Sequence, residues 1–80
     1  MNVLVHNYAA LKDYFEAQME VVLTPGGCVA DLVATLVEKN PASEKLLQIC
    51  RVAVNENIIG RDYRLSDHDK IYILPPSSGG

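Results

Sequence analysis

Eighty residues with a formal charge of −3 and a pI of about 5.1 bound the chain to one small domain. Apolar residues make up 49% of it and charged residues 21%, enough for a core and too apolar for a disordered chain. The seven cations are scattered without a basic stripe, which argues against nucleic-acid binding, and no apolar run approaches the roughly 20 residues of a membrane span.

Val3-Leu4-Val5 is a short aliphatic, β-branched run and predicts a strand. Tyr8, Leu11 and Phe15 follow at i, i+3 and i+7, with Lys12, Asp13 and Glu16 between them. That spacing predicts an amphipathic helix over residues 8–17. Glu20 to Leu23 reads as the second strand. Thr24-Pro25-Gly26-Gly27 breaks the chain, since proline fixes one φ and glycine tolerates positive φ.

The clearest periodicity comes next. Val29, Leu32, Val33, Leu36 and Val37 form one helical stripe. Asp31 falls in its first turn and Lys39 in its last, each favourable for the helix dipole. Asn40-Pro41 ends it, because a residue before proline avoids the α region. Cys28 occupies the N-cap position, where its thiol is a poorer acceptor than a hydroxyl.

Ala42 to Ile49 predicts a short helix with Leu46, Leu47 and Ile49 turned inward. Arg51 to Val54 is a strand, Asn55-Glu56-Asn57 a turn, and Ile58-Ile59 the returning strand. Residues 60–64 are a polar loop, Leu65 tucks under the core, and Asp67-His68-Asp69 turns into the last strand. In that strand, 70–74, Ile71 and Ile73 share one face, Tyr72 and Leu74 the other. The order β-α-β-α-α-β-β-β predicts an α+β roll, a mixed sheet with helices packed on one face.

The chain then leaves the sheet through Pro75-Pro76-Ser77-Ser78-Gly79-Gly80. These residues have little to bury. Fully extended, the six span roughly 20 Å, and the last two, lacking β-carbons, suit a channel too narrow for other side chains. The expected organisation is a body over residues 1–74 and an extended tail over 75–80.

Val29-Ala30-Asp31-Leu32, Val52-Ala53-Val54-Asn55, Leu65-Ser66-Asp67 and the run Ile73-Leu74-Pro75-Pro76-Ser77-Ser78-Gly79-Gly80 together resemble the small, ubiquitin-like sulfur-carrier subunit of molybdopterin synthase. The likeness covers the whole chain in length and element order. Leu-Pro-Pro-x-x-Gly-Gly directly after a strand carries far more weight than a bare Gly-Gly. The chain departs from the family at His68, where glycine is usual, and near Ser77, where valine is frequent.

The resemblance implies a β-grasp fold and a role as sulfur carrier. An E1-like activating enzyme would use MgATP to adenylate Gly80, and a sulfur donor would displace AMP to leave a thiocarboxylate. The tail would then enter the large catalytic subunit of the synthase, within a heterotetramer, and give sulfur to a pterin precursor. The carrier is thus a cosubstrate, with no active site and no bound cofactor or metal of its own. Gly80 is the reacting residue and Gly79 supplies slimness. Pro75 and Pro76 stiffen the exit, and Ser77 and Ser78 offer hydrogen bonds to a channel wall. Docking is expected on Tyr8, Ile59, Tyr72 and Leu74, where aromatic and aliphatic groups commonly dominate binding.

Other signals are weaker. Asp67-His68-Asp69 is an ordinary acidic turn, and His6 a surface or half-buried side chain. Cys28 and Cys50 match no CxxC pattern and read as reduced thiols, although spacing alone leaves a disulfide open. No secretory signal is visible at the N-terminus, so a cytoplasmic location is expected. Carriers for thiamine, thiolated tRNA or cysteine, and protein modifiers that join Gly80 to a lysine, share the same activated terminus and stand as alternatives.

Overall fold

The computed structural model describes residues 1–76. Five strands form one mixed sheet: β1 (Asn2–Asn7), β2 (Gln18–Val22), β3 (Arg51–Val54), β4 (Asn57–Ile59) and β5 (Lys70–Leu74). Their spatial order is β2-β1-β5-β3-β4, with β1 and β5 parallel and the other neighbours antiparallel. Two helices, α1 (Val29–Lys39) and α2 (Glu44–Ile49), pack alongside. The predicted mixed sheet with helices beside it is therefore the observed architecture.

The core explains the elements. Val3 and Val5 of β1, Ile71 and Ile73 of β5, and Val52 and Val54 of β3 are all buried, as strict alternation requires in β1 and β5. Val29, Leu32 and Leu36 of α1 are fully buried, while Val33 and Val37 pack partly against the same cluster. An eleven-residue helix is marginal alone in water. Each of these side chains gains about 1.5–3 kcal/mol on burial, so packing rather than propensity holds α1. At its start, the Cys28 N–H donates to the Asp31 carboxylate at 2.9 Å, and Cys28 is extended as an N-cap must be. Leu65 is buried as expected. Both cysteines are free thiols.

Three local expectations are corrected. Residues 8–17 do not form an α-helix. Only a 3-10 turn over Ala9–Asp13 appears, entered through Ala9 at a φ of 52°. β1 and β2 are direct neighbours, paired from Asn2↔Val22 to His6↔Gln18. An α-helix over 8–17 would carry the chain about 15 Å from that edge with no residues left to return. The tighter turn comes back at once, and the Asn7 N–H and amide donate to the Ala17 and Glu16 carbonyls at 2.8 and 2.9 Å. Leu11 is buried on that turn, so one member of the apolar triplet fills the core without a helix.

Ile49 does not face inward. It is 60% exposed, while Leu47 is buried. At 3.6 residues per turn the two lie about 200° apart, so one short helix cannot bury both. The third correction is the hairpin. Val54 pairs with Asn57, so the turn has two central residues, Asn55 and Glu56, both at positive φ as a type I′ turn requires. Ile58 is therefore 57% exposed, and Ile59, opposite Val52, packs against the core.

Candidate functional site

The face of the sheet away from the core carries a row that crosses all five strands. Gln18 pairs with His6, His6 with Tyr72, Tyr72 with Ala53, and Ala53 with Ile58. Alternation along each strand places these residues opposite the buried valines and isoleucines. The row is aromatic at its centre. His6 stacks on Tyr72 with ring centroids 4.6 Å apart and planes 11° apart, and Tyr8 lies beside Tyr72 at 6.3 Å. Tyr8 is 43% exposed. The covered Nε2 of His6 has no hydrogen-bond partner among the described residues.

This row leads to where the chain leaves the sheet. Leu74 ends β5 opposite Arg51, the first residue of β3. Pro75 is half-buried and Pro76 exposed. With Ile49 they line a shallow groove beside the exit: Ile49, Arg51, Leu74, Pro75 and Pro76. Tyr8, Tyr72 and Leu74, expected from the sequence as docking residues, thus share one surface running from the aromatic row to the prolines. Ile59 lies on the core side, and Ile58 holds the outward position. Ser77, Ser78, Gly79 and Gly80 lie outside the described residues.

Sequence reasoning passed over Ile58, Ile49, His6 and Arg51. A two-residue turn would have assigned Ile58 outward, since a slip of one residue exchanges the faces of a strand. The angular spacing of Leu47 and Ile49 would likewise have placed Ile49 outside.

The other polar groups serve structure. Arg61 donates to the Leu47 and Cys50 carbonyls at 2.9 and 3.0 Å, tying the loop after β4 to the end of α2. The Cys50 thiol is pushed up by burial, against the Arg61 charge, and donates to the Leu46 carbonyl at 3.1 Å, so it is a packed thiol and not an activated one. The Asn2 N–H, donating at 2.8 Å, holds the Asp67 carboxyl below its ordinary range, helped by His68 at 3.3 Å. The Cys28 N–H does the same for Asp31, with the Arg64 charge adding to it. Among the described residues, no group of three or more His, Cys, Asp or Glu is placed to hold a metal ion. A larger groove between the end of β2 and α1, lined by Thr24, Gly26, Asp31, Thr35 and Glu38 among others, shares no residue with the tail exit. No helix among the described residues is long and apolar enough to cross a membrane.

The ThiS family profile matches residues 5–80. The molybdopterin synthase sulfur carrier subunit of Chlamydomonas reinhardtii is 32% identical over 60 residues, covering 72% of each chain. The solution structure of small archaeal modifier protein 1 from Methanosarcina acetivorans superimposes with a TM-score of 0.82 at 26% identity, covering 99% of this chain and 96% of that one. A complex of subunits 1 and 2 of the molybdopterin-converting factor from Helicobacter pylori contains a chain that matches with a TM-score of 0.72 at 25% identity, with full coverage of both. The shared fold is the ubiquitin-like β-grasp.

Proposed function

The chain belongs to the ThiS family, and from that premise we propose that it is the sulfur-carrying small subunit of molybdopterin synthase. The observation that carries this reading is the family match reaching Gly80, joined to the likeness to a molybdopterin synthase sulfur carrier. The row Tyr8, His6, Tyr72 and Ile58, continuous with Leu74-Pro75-Pro76, supports it as a surface that would seat a partner while the tail enters that partner's channel.

The chemistry divides between chain and partners. A carboxylate is a poor acyl donor, because its leaving group would be an oxide. An E1-like enzyme using MgATP joins the Gly80 carboxylate to AMP and releases pyrophosphate. Sulfide-level sulfur, delivered as hydrosulfide, attacks the acyl carbon. The C–O bond to AMP breaks with AMP leaving on its oxygen, and loss of the sulfur's proton leaves a thiocarboxylate on Gly80. In the large subunit the thiocarboxylate sulfur bonds to carbon of a pterin precursor, and water cleaves the acyl–sulfur bond, leaving sulfur on the pterin and Gly80 again a carboxylate. The carrier supplies only its terminal carboxylate, which attacks the α-phosphorus of ATP, and later its thiocarboxylate sulfur. The bases and metal belong to the partners, and the steps take place in the cytoplasm where MgATP is available.

The carrier's own residues position the reacting end. Pro75 and Pro76 fix φ and remove two donors, so the exit from β5 is stiff and directional. Ser77 and Ser78 hydrogen-bond to the channel wall. Gly79 and Gly80 pass where β-carbons would clash. Tyr72, central in the row and flanked by two stacked rings, is the anchor, and a residue of this kind contributes about 2 kcal/mol or more to an interface.

Intact mass after incubation with the cognate activating enzyme, MgATP and a sulfur source tests the proposal. The mass rises by the difference between sulfur and oxygen, and the large subunit with a pterin precursor then discharges it. An unchanged mass with active enzyme defeats the reading. The likeness to a small archaeal modifier protein favours a second reading, in which activated Gly80 joins a lysine of another protein. Lysine-linked Gly80 remnants in digests of conjugates would be its signature.

A further inference from the structure

The chain has three arginines, and two of them are committed. Arg61 is spent on the Leu47 and Cys50 carbonyls, and Arg64 donates to the Gly26 carbonyl at 2.6 Å. Arg51 is exposed, and its guanidinium makes no hydrogen bond or ion pair among the described residues. It stands opposite Leu74 in the register and lines the groove with Ile49, Leu74, Pro75 and Pro76. Among the described residues no acidic side chain lines that groove, on a chain whose net charge is −3. Among the described residues, Arg51 is thus the single charged group in an apolar rim where the chain leaves the sheet.

We propose that Arg51 is a specificity-determining contact, which selects a protein partner carrying an Asp or Glu carboxylate at the mouth of the channel that receives the tail. The inference rests on the carrier reading above. The reason is geometric and electrostatic. A guanidinium presents a planar fork that takes a carboxylate bidentately, and it is less strongly hydrated than an ammonium, so it tolerates an apolar rim. Arginine is also enriched where interfaces concentrate their binding energy. Ile49 and Leu74 flank the pair and exclude water as the partner closes, which strengthens the attraction. A partner lacking the carboxylate would bury Arg51 unpaired, and that penalty supplies discrimination.

The test is the Kd of the full-length carrier for its cognate large synthase subunit, by calorimetry at two salt concentrations. Arg51→Ala weakens binding about ten-fold or more, Arg51→Glu weakens it further, and Arg51→Lys recovers only part. Lys39→Ala, on the exposed end of α1, makes the same change in net charge and leaves Kd unaltered. The salt dependence of Kd flattens in Arg51→Ala. Reversing the facing partner acid to arginine restores binding to Arg51→Glu. Wild-type binding that Arg51→Ala and Arg51→Glu leave unchanged overturns this inference and spares the carrier reading. Equal losses in Lys39→Ala and Arg51→Ala also overturn it, since general charge steering would then suffice. A wild-type chain with no affinity for the large subunit removes both.

Discussion

Glu56 sits at a φ of 68° in the β3–β4 turn, where an L side chain crowds its own backbone. Glu56→Gly makes the pair Asn-Gly, the combination this turn prefers. The strain relieved is partly offset by the greater freedom of glycine in the unfolded chain, leaving a net gain of about 0.5–1 kcal/mol. A rise in the urea midpoint at unchanged m-value checks it. His68, at a φ of 67°, is the position where the resemblance led us to expect glycine, and the same strain acts there. Acid sensitivity is also set by single residues. Asp31 and Asp67 both titrate below their ordinary value of 3.8 in the folded chain, each because a backbone N–H donates to the ionised form. Their contribution is therefore complete above the unfolded value and is lost as pH falls through the folded values. The Tm of Asp31→Asn/Asp67→Asn will be lower than wild type at neutral pH and fall less steeply below about pH 4. Parallel Tm curves would contradict the assignment.

At the scale of elements, the joint between α2 and the following loop turns on Arg61. Its two bonds satisfy carbonyls at the end of a six-residue helix too short to hold itself. Arg61→Ala leaves both without that partner and costs about 1–3 kcal/mol, measured by denaturant unfolding. Helix α1 was legible because five apolar residues share one stripe and Asn40-Pro41 stops it. The segment after β1 was not. Tyr8, Leu11 and Phe15 carry helical spacing, yet β1 pairs directly with β2 and the chain must reverse within a few residues. Long-range pairing overrode local periodicity. The hairpin teaches the same lesson in register, because one residue of turn length decides which isoleucine meets the core.

At the scale of the whole molecule, every buried core residue among the described residues lies between Val3 and Ile73. On the carrier reading proposed above, removing Gly80 leaves the melting temperature unchanged and abolishes sulfur transfer. A large loss of thermal stability would contradict the separation of body from tail. The outward row is a property of the assembled sheet. Gln18, His6, Tyr72, Ala53 and Ile58 come from five strands, and only the order β2-β1-β5-β3-β4 brings them into one row. The amino-acid order alone determined the strands, the main helix, the mixed α+β class and the exit from β5 through Pro75-Pro76, since these follow from local spacing and the chemistry of proline. Which isoleucines face outward, and that Arg51 stands beside the exit from β5, were decided by tertiary structure. Register and helix phase convert sequence position into a face, and both are settled by burial of the core on the opposite side.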